Sequence, residues 1–243
     1  MSTATRVLEV PHPALPEDRS PHHHHTQPPQ LGMEGPASAE GPASADAEQG
    51  VGPWVGEWPV DPRYDRELLA AGDRRNVVDR YRYWTVEAIK ADLEAARRPL
   101  HVAVENWEHD FNIGSIVRTA NAFGVAEVHI VGRRRWNRRG AMVTDRYLNI
   151  RHHPTAGDLA QWAEGNGIVL LGIDNLPGAR ALERHPLPER CLMWFGSEGA
   201  GLSPEAQAAC SELLAITQYG STRSLNAGAA AAIAIYAYTL QHR

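Results

Sequence analysis

The sequence predicts an α/β fold, a parallel sheet flanked by helices, over residues 99–243, behind a disordered N-terminal extension. Three observations predict it. Short apolar runs alternate with helical patterns from residue 85 onward. Those runs are nearly continuous in apolar residues, as strands buried on both faces are. Many of the 17 prolines and 21 glycines fall in the first sixty residues, which leaves the remainder as the globular candidate.

Taken in order, residues 1–60 read as a disordered acidic tail. Pro11 to Pro29 is rich in Pro and His, and Gly35-Pro36-Ala37-Ser38-Ala39 nearly repeats as Gly41-Pro42-Ala43-Ser44-Ala45. Such composition buries too little apolar area to offset the entropy of ordering. His22 to His25 read as a solvated polar run, since no acid or Cys stands beside them at ligand spacing. Trp54 and Trp58 close the tail and are placed to dock on the domain or on a partner. Residues 61–98 form an N-terminal helical segment with a short helix around Arg66–Ala71. Thr85 caps a second helix that runs to Arg98 and stops at Pro99.

The domain proper begins with a strand at 101–105 (HVAVE). A helix follows over 112–123, with Ile113, Ile116, Val117 and Ala120 on one face. The expected order continues with a strand at 127–131, a helix at 158–164, strands at 168–173 and 191–195, a helix at 204–211 and a short strand at 213–216. An Ala-rich helix over 225–241 ends it.

Composition narrows the function classes. Hydrophobic residues make up 43% of the chain, enough for a true core. Two cysteines, Cys191 and Cys210, exclude a disulfide scaffold, and no Cys/His spacing indicates a metal. No apolar run reaches the ~18–20 residues of a membrane span. No signal pattern opens the chain, so the expectation is cytoplasmic. The formal charge is −5, but it is unevenly spread. Residues 1–60 carry two Arg against eight acids, −6, while the rest carries 22 basic against 21 acidic residues, +1. A near-neutral domain with a local basic cluster still binds phosphates, because distribution sets the field.

Ligands of a parallel sheet bind beyond the carboxyl ends of its strands, and three loops there are unusual. The first opens the 112–123 helix as Asn112-Ile113-Gly114-Ser115-Ile116-Val117-Arg118-Thr119-Ala120, with Phe123-Gly124 behind it. Arg118 either serves a site or simply snorkels to the surface. The second, Gly196-Ser197-Glu198-Gly199-Ala200-Gly201, follows strand 191–195. Its glycines let backbone approach a ligand, or merely connect strand to helix. It is neither a Walker loop nor a GxGxxG fingerprint. The third, Gly220-Ser221-Thr222-Arg223-Ser224-Leu225-Asn226, enters the last helix, where hydroxyls and amides are often caps. Ser224 lacks the GxSxG setting of a hydrolase nucleophile.

Together the three loops resemble the three motifs of the SpoU (TrmH-like) RNA 2′-O-methyltransferase family of the SPOUT superfamily, in the family's order. The first matches N-x-G-x-x-x-R-T-A-x-x-F-G through Asn112, Gly114, Arg118, Thr119, Ala120, Phe123 and Gly124. Gly196, Glu198 and Gly201 match G-x-E-x-x-G. Ser224, Leu225 and Asn226 match S-L-N, followed by the small residues Ala227–Ala232. The resemblance covers roughly residues 100–241. Thr217-Gln218 stands where the family usually has Pro-Met, which alters one edge of the donor pocket. Gly228 slightly weakens the last helix.

The resemblance implies a C-terminal trefoil knot, a homodimer and S-adenosylmethionine as methyl donor, none of which spacing could reveal. Gly196, Gly201, Ile216 and Leu225 would hold the donor, with the strand end Ile173-Asp174-Asn175 a weaker candidate for the adenine side. The implied reaction is methyl transfer to a ribose 2′-hydroxyl of tRNA or rRNA. Arg118 would bind the adjacent phosphate and stabilise the developing alkoxide, since a guanidinium is a reluctant base. Asn112 would orient the ribose or Arg118. Glu198 would hold Arg118 or a substrate group, and Ser224 and Asn226 would fix the third loop and reach the RNA.

Arg133-Arg134-Arg135-Trp136-Asn137-Arg138-Arg139 follows the second strand. Five Arg around a Trp suit phosphate contacts and base stacking, or form a solvated basic loop. The implied ribose chemistry makes the partner RNA rather than DNA. Three rivals stand beside this reading. One is a SPOUT-fold RNA-binding protein without catalysis, which would have lost motif residues. Another is a different nucleotide-cofactor enzyme, whose fingerprints are missing. The third is an interaction module centred on the tail.

Overall fold

A computed structural model describes residues 50–107 and 112–243. The expected disorder of residues 1–49 lies outside the described residues. Residues 50–60, grouped with the tail by composition, are instead tied to the segment that follows. Val51 pairs with Asp73 in an antiparallel bridge, and Trp54 packs edge-on against Tyr64 and Tyr83 at 5.9 and 5.4 Å.

That segment turns on one buried acid. The Asp73 carboxylate accepts from Arg75 Nε at 2.9 Å and Nη2 at 2.7 Å, and from the Tyr83 backbone N–H at 2.9 Å. Burial pushes its pKa up, but the hydrogen bonds from Arg75 and from backbone N–H groups outweigh burial and hold it below the usual value. Helix α1 (Arg66–Ala71) is capped by Asp65, and α2 (Val86–Glu94) by Thr85. Helix α2 ends four residues earlier than its pattern suggests. Pro99 biases Arg98 toward extended backbone, and strand β1 (Arg98–Asn106) begins there.

Seven strands form one sheet in the order β3-β2-β1-β6-β4-β7-β5, with every neighbouring pair parallel. The remaining strands are β2 (Val125–Gly132), β3 (Ile150–His153), β4 (Val169–Ile173), β5 (Arg180–Ala181), β6 (Cys191–Phe195) and β7 (Glu212–Ala215). The other helices are α3 (Asn112–Ala122), α4 (Ala156–Gly165), α5 (Pro204–Ala209) and α6 (Ala227–Gln241). Strands β3 and β5 are additions to the expected set. Thr155 and Asp158 close a capping box that starts α4 two residues earlier than expected. Helix α6 starts at Ala227, because Asn226 is its cap rather than its second residue.

Helices α3 and α6 cover one face through Ile113, Ile116, Val117, Ala120, Ala234, Ile235 and Tyr238. Helices α4 and α5 cover the other through Leu159, Ala163 and Ala206, packed on Ala103, Leu192 and Trp194. Both cysteines are free, Cys191 in the core. Because the strands run the same way, the loops after β1, β2, β4, β6 and β7 gather at one end of the sheet. Among the described residues no helix is long and apolar enough to cross a membrane.

Candidate functional site

A cavity of about 270 Å³ opens where the loops after β4, β6 and β7 meet the start of α6. Ile173, Gly196, Gly201, Ile216 and Leu225, the five residues assigned to the donor, all line it, and so do Glu198 and Ser224. Its floor is a tight turn in which Ser197 N donates to Gly201 O at 3.1 Å and Gly201 N to Ser197 O at 2.9 Å. Side chains are excluded at the two glycines that bracket that turn. A Cβ on Gly196 would lie 1.9 Å from the Gly201 carbonyl carbon. At Gly201 the φ is +69°, and a Cβ would meet Asp174 Oδ2 at 2.4 Å.

Contacts outside the three motifs hold these loops. Asp174 Oδ2 accepts from Leu202 N at 2.8 Å, joining the β4 end to the glycine loop. Asn175 Nδ2 donates to Arg223 O at 2.8 Å, joining it to the third loop. Glu105, fully buried at the end of β1, accepts from Ser203 N at 2.7 Å and Ser203 Oγ at 2.6 Å. Ser203 is the N-cap of α5, so the carboxylate also complements a helix start.

Asn226 connects the cavity to α3. Its Oδ1 accepts from Gly228 N and Ala229 N at 3.0 and 3.2 Å, capping α6. Its Nδ2 donates to Asn112 Oδ1 at 2.8 Å. Gly228 eases the close approach of the helices, since a Cβ there would stand a tight 3.3 Å from Ser115 Cβ. The glycine that weakens α6 in isolation therefore admits α3. Phe123, directly after α3, meets Tyr236 of α6 at 6.2 Å, so the two helices run side by side in the same sense.

Arg118 is one turn beyond Ser115 on α3, exposed, and outside the cavity lining. Among the described residues no hydrogen bond or ion pair engages its guanidinium. The structure thus gathers the donor residues, Glu198 and Ser224 around one cavity and ties Asn112 to Asn226. Arg118 stands on the solvent side of α3.

The fit to an adenosine-and-methionine ligand has its own test. Gln218 lines the cavity, and its buried Oε1 finds no hydrogen-bond partner among the described residues. A buried acceptor of that kind calls for a donor from a ligand or water. With a glycine floor that admits backbone contact and apolar walls from Ile173, Ile216 and Leu225, the cavity suits such a molecule.

The basic loop sits beside this end of the sheet. Asn106 Nδ2 donates to Arg133 O at 2.7 Å and to Arg135 O at 2.9 Å, anchoring its base to β1. Arg134, Arg135, Trp136 and Arg138, with Lys90, Arg146, Arg151 and His152, line a groove of about 1250 Å³ along the β3 edge. Arg133 and Arg139 are exposed but do not line it. Trp136 is half-buried against the core, with the Arg138 guanidinium 5.6 Å from its ring centre. Arg138 also reaches Asp145 at 3.4 Å.

Comparison with known proteins adds a lineage to this geometry. The profile of the SpoU rRNA Methylase family matches residues 99–236. A tRNA (guanosine(18)-2′-O)-methyltransferase of Escherichia coli (strain K12) is 32% identical over 152 residues, 60% of this chain and 65% of that protein. An uncharacterized tRNA/rRNA methyltransferase of Mycolicibacterium vanbaalenii is 30% identical over 194 residues, covering 75% and 61%. The chain thus spans slightly less than two thirds of these curated relatives. The crystal structure of the SpoU methyltransferase AviRb from Streptomyces viridochromogenes with AdoMet is similar at TM-score 0.55 and 27% identity, over 62% of this chain and 61% of that one. An A. aeolicus TrmH/SpoU tRNA modifying enzyme shares the fold at TM-score 0.58 and 20% identity, over 65% and 82%.

Proposed function

The chain belongs to the SpoU rRNA Methylase family, and from that premise we propose that it is an RNA ribose 2′-O-methyltransferase that uses S-adenosylmethionine and acts on tRNA or rRNA. The observation that carries this reading is the meeting of the second and third motif loops around one glycine-floored cavity, with Asn226 bonded to Asn112 at its edge. The C-terminal segment from β6 through α6 is read as the trefoil knot.

In this reading Gly196, Gly201, Ile216, Leu225 and Ile173 hold the donor, whose sulfonium supplies the methyl group. The protein's task is to align the ribose and stabilise the charge that develops on its oxygen. Arg118, exposed on α3, contacts the neighbouring phosphate and the developing alkoxide. Asn112 and Asn226 fix α3 against α6, so that Arg118 keeps its place relative to the donor. Glu198 and Ser224 meet the substrate at the cavity mouth. Arg134, Arg135 and Arg138 bind RNA phosphates along the groove, while Arg133 and Arg139 extend the positive field. Trp136 offers an edge for base contact.

A homodimer belongs to this reading, supported by an apolar stripe on α6. Ile233, Tyr236 and Leu240 are 44%, 51% and 44% exposed at helical spacing, a face that water disfavours. A cytoplasmic location follows from the RNA substrate. The test is deletion of the gene and mapping of 2′-O-methyl positions across total RNA. Loss of one position, restored by the intact gene and not by an Arg118→Ala copy, supports the reading; an unchanged map overturns it.

A further inference from the structure

On the sheet face covered by α4, three histidines from neighbouring strands stand in a row. The register sets His101 beside Glu127, Ala103 beside His129, and Val131 beside His153. His101 Nδ1 lies 3.1 Å from His129 Nε2, and His129 Nδ1 lies 3.0 Å from His153 Nε2. Glu127 Oε2 stands 3.8 Å from the same His129 Nε2. The Trp162 ring closes over His129 at 4.3 Å, and His129 is fully buried. Ligand-type atoms of His101, Glu127 and His129 all lie within 4.8 Å of one another.

We propose that His101, Glu127 and His129 form a binding site for one divalent transition-metal ion of the zinc class. Two imidazole nitrogens and a carboxylate oxygen are the donor set that Zn²⁺, Co²⁺ and Ni²⁺ accept. Tetrahedral ligands at ~2.0–2.1 Å from an ion are about 3.3 Å apart, and the separations of 3.1 and 3.8 Å at His129 Nε2 bracket that value. A neutral imidazole presents one ring lone pair to an ion, so each ring can supply one nitrogen ligand.

Outer contacts orient the set. With the ion on Nε2, His129 donates its Nδ1–H to His153 Nε2, which fixes the tautomer. Arg151 Nε donates to Glu127 Oε1 at 3.1 Å and leaves Oε2 turned toward the ring. A plain hydrogen-bonded histidine row accounts for the two N···N contacts. It makes no use of Oε2, which is outside hydrogen-bond reach of the ring. His101 and Glu127 both line the basic groove, which gives an ion and its water an entry path. The site lies on the face opposite α3 and shares no lining residue with the donor cavity. Its effect is to tie β1 to β2 beneath the groove.

The test uses the full chain with His22, His23, His24 and His25 each changed to Asn, so that the tail run does not compete for metal. Zn²⁺ is titrated in competition with a chromophoric chelator, and Co²⁺ is followed by its visible bands. One equivalent is expected, with a rise in melting temperature. His101→Gln and Glu127→Gln in that background, checked for folding by near-ultraviolet circular dichroism, lose at least ~10-fold in affinity. No uptake by the tail-substituted chain overturns the proposal. So does uptake that both folded variants retain in full. Should one variant fail to fold, the other decides by the same criterion.

Discussion

Asn226 donates from Nδ2 to Asn112 Oδ1 at 2.8 Å while its Oδ1 caps α6. One amide therefore both starts the last helix and holds the helix that bears Arg118. Two motifs separated by more than a hundred residues meet at this bond. Replacing Asn226 by Asp keeps the cap and removes the donor. Asn226→Asp is expected to leave stability within about 1 kcal/mol of the parent and to lower the rate of methyl transfer. Asn226→Ala is expected to lose both. Urea unfolding and single-turnover rates on the same preparations separate the two effects; equal activity of Asn226→Asp and the parent contradicts the positioning role.

Arg118 stands outside the donor cavity on the exposed side of α3. Arg118→Ala is expected to reduce methyl transfer by roughly 10²–10³-fold, the scale of losing one charge-stabilising group, with donor binding unchanged. Calorimetry with the donor checks the second half. A matching loss of donor affinity would place Arg118 in the cofactor pocket instead.

Gln218 presents a buried, unpartnered acceptor to the cavity. Gln218→Met, nearly the same size, removes that acceptor. The expected result is a higher KM for the donor with kcat little changed, measured at saturating RNA. An unaltered KM means that Oε1 meets no donor group.

In the proposed reading the basic loop binds RNA through its charge. Arg133, Arg134 and Arg135 changed together to Ala are expected to weaken RNA binding and to flatten its dependence on salt by about two phosphate contacts, those of Arg134 and Arg135. Binding measured at several salt concentrations gives the slope, and an unchanged slope rules out phosphate contact by these residues.

Asp73 makes the N-terminal segment sensitive to acid. Its folded pKa lies below the unfolded value of ~3.9. Its contribution to stability is therefore full above the unfolded value and is lost as pH falls through the folded one. Asp73→Asn is expected to unfold at lower urea than the parent at pH 7, with the gap narrowing toward pH 3. A gap that holds constant with pH contradicts the role of the ionised carboxylate.

The central strands were legible because burial on both faces makes them nearly continuous in apolar residues. Edge strands were not. Ile150-Arg151-His152-His153 is mostly polar because one side of β3 faces the groove, and β5 has two residues. The glycine loop was readable from a residue type that backbone proximity demands, whereas Asn226, which the pattern put inside the last helix, is its cap. The partners of Glu105, Asn106 and Asp174 were not readable, since they are set by strand register and loop return rather than by local pattern. The same holds for His101, Glu127 and His129, which come from neighbouring strands and show no ligand spacing along the chain.

The most direct test is chemical identification of the product. Purified protein, tritiated S-adenosylmethionine and unmodified RNA are incubated, and the RNA is hydrolysed in alkali. A ribose methylated at its 2′-oxygen protects the adjoining phosphodiester, so label is expected in alkali-resistant dinucleotides. Label released in mononucleotides as methylated base would contradict ribose methylation.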